Sequence, residues 1–393
     1  MAWDVLTDDQ RELRDLVRQV ARERIAPRAA EIDETHEFPW DVVELFREND
    51  IFGLFFDELY GGLGTGTLLS LIAIEEVGKV CGTSALILAV QELGSLGLKI
   101  AGSDAQKEKY LPRFASGEWL PAYALTESGS GSDSAAMRTT ARREGDEYVL
   151  DGSKRFITNA GVANLYTVFA KTDPEQGHSG ISAFVVEADT PGFAVARLEP
   201  KMGISGSTTG ELTFDGVRIP AENLLGAEGD GFKIAMRILD RSRPGVAAQA
   251  LGIAQGATDY ALEYAKTRET MGKPIAQHQL IQAKLADMET ECEAARGLLY
   301  RYGRMADEGV DPAELTKASA MAKLKCGDVA MFATTEAVQI LGGYGYIKEY
   351  PVERFMRDAK ITQIYEGTQE VQRLVIAREM ARESRAFLLA GVG

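Results

Sequence analysis

The spacing of hydrophobic positions changes twice along this chain, and the changes divide it into three zones. From Thr7 to about Gly117 apolar residues recur at helical intervals. Thr7 and Gln10 have the spacing of a capping box. Leu13, Leu16, Val17, Val20 and Ala21 follow on one face until Pro27, which is expected to stop the helix. Leu68 to Val80 and Ser84 to Ile100 are apolar nearly all round, as buried helices are, and Ser103 with Gln106 opens another helix. From Trp119 to about Ile219 the pattern is that of strands: Tyr148–Leu150, Leu165–Ala170, Ile181–Val186, Phe193–Leu198 and Glu211–Phe214. The dipeptides Asp151-Gly152, Pro191-Gly192 and Asp215-Gly216 are read as the turns between them. Short strands joined in this way predict a small antiparallel barrel or sandwich.

Helical spacing returns at Gly231. Ile281, Leu285, Met288, Cys292, Ala295, Leu299 and Tyr302 step by four and three, the inward stripe of a long helix in a bundle. Pro244 cannot donate to the carbonyl of Asp240, so a kink or break is expected there. The chain thus reads as an α+β multidomain protein: an all-α domain over 1–118, a middle β domain over 119–230 and a helical bundle over 231–393.

Composition narrows the chemistry. A chain of 393 residues is longer than a single core usually grows, and a formal charge of −16 argues against a nucleic-acid or anionic-membrane surface. Cys81, Cys292 and Cys326 are far apart, and His36, His178 and His278 share no ligand spacing, so neither a disulfide scaffold nor a metal site is expected. Met1 to Asp15 has no apolar signal core and no stretch reads as a membrane span, which leads to the expectation of a reducing cytoplasm.

Four segments carry candidate chemistry. Near the C-terminus, Ile364-Tyr365-Glu366-Gly367-Thr368 sets a lone carboxylate between an aromatic ring and a glycine. It follows an amphipathic segment, Val352 to Ile364, that can deliver the carboxylate into the protein. Such a group is either a base or a solvated acid, with Thr368 capping the next helix. In Ala122 to Asp133, a strand bearing Tyr123, Leu125 and Thr126 runs into a Ser-Gly loop. There Gly129 and Gly131 let backbone approach a ligand, and Ser130 and Ser132 offer hydroxyls to an anion or form an ordinary hairpin loop. No helix follows, so this is not a dinucleotide fingerprint. Phe156, Ile157 and Thr158 end a strand where a ring can lie against a flat heterocycle or pack in the core. Asp240 to Pro244 offers an acid and an arginine at the expected helix break, read equally as a ligand site or a surface ion cluster. Arg268, Thr270, His278 and Gln279 flank Gly272-Lys273-Pro274, read as a helix-to-helix turn.

Together these segments, in this order, resemble the acyl-CoA dehydrogenase family over essentially the whole chain, in particular its short- and medium-chain members. Ala122 to Asp133 is similar to the family's flavin and substrate signature, and Gln339–Gly343 with Tyr350–Thr368 to its C-terminal signature. The resemblance implies an N-terminal helical domain, a middle β domain and a C-terminal four-helix bundle, with FAD as cofactor. It implies that Glu366 is the catalytic base, and that Tyr123, Leu125, Thr126, Ser132, Phe156, Ile157 and Thr158 meet the flavin. Arg268, Thr270, His278 and Gln279 correspond to residues around its adenosine and pyrophosphate. Gln339, Ile340, Leu341, Gly342 and Gly343 would come from a neighbouring subunit of a homo-oligomer, usually a tetramer, and Thr368 and Glu370 complete the cofactor set. Ser132, Asp240, Arg243, Tyr365 and Gly367 are the implied substrate contacts, and Gln91, Glu92 and Ser95 interrupt the helix expected to line the acyl pocket.

The implied reaction is oxidation of an acyl-CoA to the trans-2-enoyl-CoA. Glu366 takes the α-proton, its backbone N–H helps polarise the thioester carbonyl, and electrons pass to an electron-transferring flavoprotein that Glu199 would contact. Two departures from the pattern matter. Phe156 stands where many members have tryptophan, and some relatives place the base near Asp240, whereas here the acid is at Glu366. The alternatives are an oxidase-like enzyme of the same fold that uses oxygen, and a non-dehydrogenase or nucleic-acid-associated member.

Overall fold

The computed structural model describes residues 6–390. Met1 to Val5, which open the N-terminal pattern, and 391–393, the end of the expected third domain, lie outside the described residues. The helical zone comprises α1 (Asp8–Val20), α2 (Ala29–Thr35), α3 (Trp40–Glu48), α4 (Gly66–Gly78), α5 (Gly82–Ala101) and α6 (Asp104–Ala115). Both expected capping boxes, at Thr7 and Ser103, are formed. Pro27 does not stop the first helical run. The chain passes through a π turn, Ala21–Ile25, and a 3-10 turn, Ala26–Arg28, whose early positions need no N–H from proline. By length and composition α5 could cross a bilayer, contrary to the sequence expectation. Here it is a core helix, buried along nearly its whole length against α4, α6 and the helices and strand that follow.

The middle zone is one sheet of β1 (Pro121–Ala124), β2 (Thr140–Glu144), β3 (Glu147–Thr158), β4 (Leu165–Lys171), β5 (Ile181–Glu187), β6 (Phe193–Leu198), β7 (Thr209–Pro220) and β8 (Leu224–Leu225). Its order is β6-β7-β3-β2-β4-β5-β8, with β1 also on β4. Pairing is antiparallel except where β1 and β2 meet β4. Two expected turns prove to be interior. Asp151-Gly152 and Asp215-Gly216 face each other as irregularities inside β3 and β7, and the Asp151 carboxylate accepts from the Gly216 N–H at 2.8 Å. Each Asp-Gly pair bends a continuing strand because its neighbour is bulged at the same level.

The last zone is α7 (Gly231–Thr267), the hairpin β9 (Glu269–Thr270) and β10 (Lys273–Pro274), then α8 (Gln279–Asp307), α9 (Pro312–Leu341), α10 (Val352–Ile361) and α11 (Gln369–Ala390). Helices α7, α8 and α9 pack on one another, α10 and α11 pack on α9, and the expected stripe of α8 faces inward. Helix α7 is not broken at Pro244. From Ser242 to Thr258 it is buried on almost every side, and that packing outweighs one missing backbone bond. The predicted helix-to-helix turn is instead a two-residue hairpin, with Met271 and Gly272 both at positive φ. The α4–α7 crossing locks the first zone to the third: a Cβ on Gly252 would fall 2.4 Å from the Glu75 carbonyl oxygen, so only glycine permits this approach.

Helix α10 is tied to both other zones. The Arg357 guanidinium meets Asp33 at 2.6 Å, and buried Asp358 accepts from the Ile204 N–H at 2.5 Å. Burial pushes the Asp358 carboxyl up to about 7. The folded protein therefore holds this proton more tightly than the unfolded chain, and stability is lost as pH rises from the usual carboxylate range through about 7. Asp358→Asn keeps the acceptor for Ile204 and removes the charge. It is expected to raise the thermal midpoint above neutral pH and flatten its pH dependence; parallel profiles for the two proteins would contradict this.

Candidate active site around Glu366

After α10 the chain turns back on itself, with the N–H groups of Ile364 and Tyr365 both donating to the Ile361 carbonyl. Glu366 then adopts φ +51° and Gly367 φ +90°. For glutamate the left-handed region costs about 1–2 kcal/mol, so the turn must be held by its surroundings. Lys323 Nζ and Gln372 Nε2 both donate to the Gly367 carbonyl, at 2.7 and 2.9 Å. The Tyr365 hydroxyl donates to the Gln249 side-chain oxygen, whose amide nitrogen donates to the Gly82 carbonyl at 2.8 Å. A Cβ at Gly367 would lie 2.6 Å from Gln372 Nε2. Thr368 caps α11 through the Val371 N–H at 3.3 Å.

The Glu366 carboxylate lies among donors. Ser242 Oγ donates to Oε2 at 2.5 Å. Burial raises the carboxyl above its ordinary range, while the Ser242 bond and the charges of Lys323 and Arg243 hold it down. Arg243 is 4% exposed and pairs with Asp240 at 2.6 Å; Asp240 also accepts from Thr316 at 2.7 Å. Burial, with the Glu366 charge next, pushes the Tyr123 phenol well up, and among the described residues the Tyr123 hydroxyl and Arg243 Nε are buried without a partner. A desolvated carboxylate still tethered in its ionised form is suited to accept a proton from a weak carbon acid.

The Ser-Gly loop is built on a buried ion pair. Glu127 Oε1 accepts from Lys154 Nζ at 2.8 Å and from the Thr139 N–H and hydroxyl, and Oε2 accepts from the Arg138 N–H. Lys154 is fully buried and also donates to the Leu125 carbonyl, while the Arg155 N–H donates to Thr126 O at 2.8 Å. Tyr123, Leu125 and Thr126 are thereby brought beside Phe156, Ile157 and Thr158. Ser130 does not offer its hydroxyl to a ligand, because Oγ donates to Asp133 O at 2.8 Å; Gly129, Gly131 and Ser132 remain exposed. Phe156 is not core. It stands 57% exposed at φ +58°, with the Arg155 guanidinium over its ring.

A separate groove of about 440 Å³ is lined by Arg268, Thr270 and Ile340 to Gly343, together with Tyr264, Ile275, Tyr344 and Ile347. His278 Nε2 contacts Thr270 Oγ1 at 3.2 Å, whereas Gln339 and Gln279 are exposed near the ends of α9 and α8. Arg268, Thr270 and Ile340–Gly343 are thus one set, and a subunit assignment made for part of it applies to all of it. Thr368 and Glu370 line a different, polar recess with Asp328, Lys360 and Arg373. Gln91 is turned away to the Phe114 and Trp119 carbonyls, and Glu92 pairs with Lys99 at 2.6 Å. Glu199 is held by Arg155 at 3.2 Å and Arg197 at 2.9 Å.

All three domain models of one family match this chain: the acyl-CoA dehydrogenase N-terminal domain over 7–118, middle domain over 122–217 and C-terminal domain over 229–381. The chain belongs to the acyl-CoA dehydrogenase family. It is similar to an acyl-CoA dehydrogenase of Bacillus subtilis, 48% identical with 95% of this chain and 98% of that protein covered. Among solved structures it is similar to butyryl-CoA dehydrogenase of Megasphaera elsdenii, with TM-score 0.93, 46% identity and 96% and 99% of the two chains covered. A chain in the structure of the electron transferring flavoprotein of Acidaminococcus fermentans is likewise similar, with TM-score 0.94, 46% identity and the same coverage. As a member of the acyl-CoA dehydrogenase family, the protein is an oxidoreductase with the three-part fold of that family.

Sequence reasoning missed six residues of this site: Ser242, Gln249, Lys323, Gln372, Glu127 and Lys154. Lys323 left a signal, since it falls on the inward stripe of α9 with Thr316, Ser319, Cys326 and Ala330. Lys154 left none, because the irregularities of β3 break the alternation that would have marked it as inward.

Proposed function

We propose that this acyl-CoA dehydrogenase oxidises a short-chain acyl-CoA to the trans-2-enoyl-CoA, with Glu366 removing the α-proton. The observation that carries this reading is the Glu366 turn: a desolvated carboxylate held in a strained conformation by contacts from α7, α9 and α11. Ser242 donates to Oε2 and leaves Oε1 without that bond, and the Glu366 N–H is the donor read as polarising the thioester carbonyl. The residues fit FAD: Phe156 is displayed instead of packed, Gly129 and Gly131 leave open space in the loop, and Arg268 with Thr270 lines a groove able to hold an extended polar group. When bound, FAD supplies the acceptor for the β-hydride.

Electron-transferring flavoprotein is the electron-accepting partner in this reading, supported by likeness to a chain solved in a study of that protein. Glu199 can contact it only by exchanging its bonds to Arg155 and Arg197. A homo-oligomer is supported by Met271 and Tyr346, which adjoin groove-lining residues and stand 94% and 86% exposed. The chain-length reading rests on Gln249, a fully buried polar side chain that bridges the start of α5 to Tyr365, the residue before the base. Anaerobic titration of the flavoprotein with acyl-CoAs of graded length should bleach it most readily with short chains, and Gln249→Ala should extend the range. A wild-type preference for long chains would remove the short-chain assignment, and no bleaching by any acyl-CoA would remove the reading as a whole.

A further inference from the structure

Lys323 is fully buried on α9, and its ammonium donates to the Gly367 carbonyl at 2.7 Å and to Gln369 Oε1 at 3.2 Å. Among the described residues no carboxylate forms a direct ion pair with it. Burying an ammonium without a direct carboxylate partner is costly, where an apolar side chain of similar length would pack without that cost. The charges that face it are Glu366 on the turn, Arg243 on α7, Asp328 on α9 itself and Glu370 on α11. Glu366 in turn faces Ser242 and Arg243 of α7, Lys323 of α9, and the phenols of Tyr123 on β1 and of its neighbour Tyr365.

We propose that Lys323 is the positioning residue of the base: through the Gly367 carbonyl it fixes the left-handed turn that aims Glu366, and through its charge it keeps that carboxylate ionised. The proposal rests on Glu366 being the base. Burial pushes the ammonium down to about 8, with Glu366 the main influence opposing the fall, so it remains charged at neutral pH. A neighbouring cation favours the carboxylate over the carboxylic acid. Without it burial is less opposed, and the Glu366 carboxyl rises further.

Two variants separate geometry from charge. Lys323→Gln retains a donor for the Gly367 carbonyl without the charge, and Lys323→Met removes both. In Lys323→Gln the acid limb of the anaerobic reduction rate should move up by about one pH unit, with the rate at its plateau retained. Lys323→Met should show that shift together with a plateau rate about 10²-fold lower, as a misaimed base requires. A lysine that merely supports the fold would lower the thermal midpoint and leave the acid limb in place, and that result overturns the proposal. If neither variant folds, selectively 13C-labelled lysine in the wild type and Glu366→Gln decides the matter. One buried lysine should lose its proton at a lower pH in the variant, whereas identical lysine titrations overturn the coupling. Full bleaching by Glu366→Gln would instead remove the base assignment, an outcome distinct from either result.

Discussion

Glu366→Gln should retain flavin and bind acyl-CoA, yet lose the rate of anaerobic bleaching by about 10³-fold or more, toward the upper end of what a positioned general base contributes. The substitution is nearly isosteric, and the amide oxygen can still accept from Ser242, so the turn and its contacts to Lys323 and Gln372 should persist. What it removes is the basic lone pair proposed to take the α-proton. In the wild type the same rate should fall on the acid side at a pH above the ordinary carboxylate range, because burial raises the Glu366 carboxyl. Stopped-flow absorbance of the flavin gives both results. Bleaching by the variant at the wild-type rate would show that some other group takes the proton.

Lys154→Met should cost about 3–5 kcal/mol of stability, since it leaves Glu127 buried beside an apolar side chain. Burial alone would raise the Glu127 carboxyl, but Lys154, Thr139 and the Arg138 N–H together bring it below its usual value. Burial also lowers the Lys154 ammonium to about 8, with Glu127 opposing, so the pair is charged at neutral pH. Its loss should loosen Leu125 to Glu127 and release flavin as well as lowering the thermal midpoint. The double variant Glu127→Gln, Lys154→Met should be less damaged than Lys154→Met alone, because no unpaired charge is left behind. Equal stability of the single variant and the wild type would mean that the pair does not hold the loop.

Much of the fold was legible because each zone has one period. The capping boxes at Thr7 and Ser103 and the stripe of α8 follow from spacing, and the buried helices α4 and α5 from runs that are apolar on nearly every side. Most of the misreadings share a cause, a local signal overruled by its surroundings. Asp151-Gly152 and Asp215-Gly216 have the local chemistry of turns, yet each is overruled by a neighbouring strand bulged at the same level. Pro244 is a helix breaker overruled by burial on α7, and Gly272-Lys273-Pro274 was read as a plain turn because a hairpin of two-residue strands has no period to detect.

By itself the sequence determined the three-part architecture and the family resemblance, and it singled out Glu366 as the candidate carboxylate. Spacing and motif are properties of the chain, and Glu366 lies within a contiguous signature. Only the tertiary structure decided how that carboxylate is buried and held, the setting on which its proposed role as base rests. Ser242, Lys323 and Gln372 reach the Glu366–Gly367 turn from three separate helices, and Lys154 reaches Glu127 across an irregular strand. Desolvation and long-range Coulomb interaction depend on which groups are packed together, and no local pattern records that.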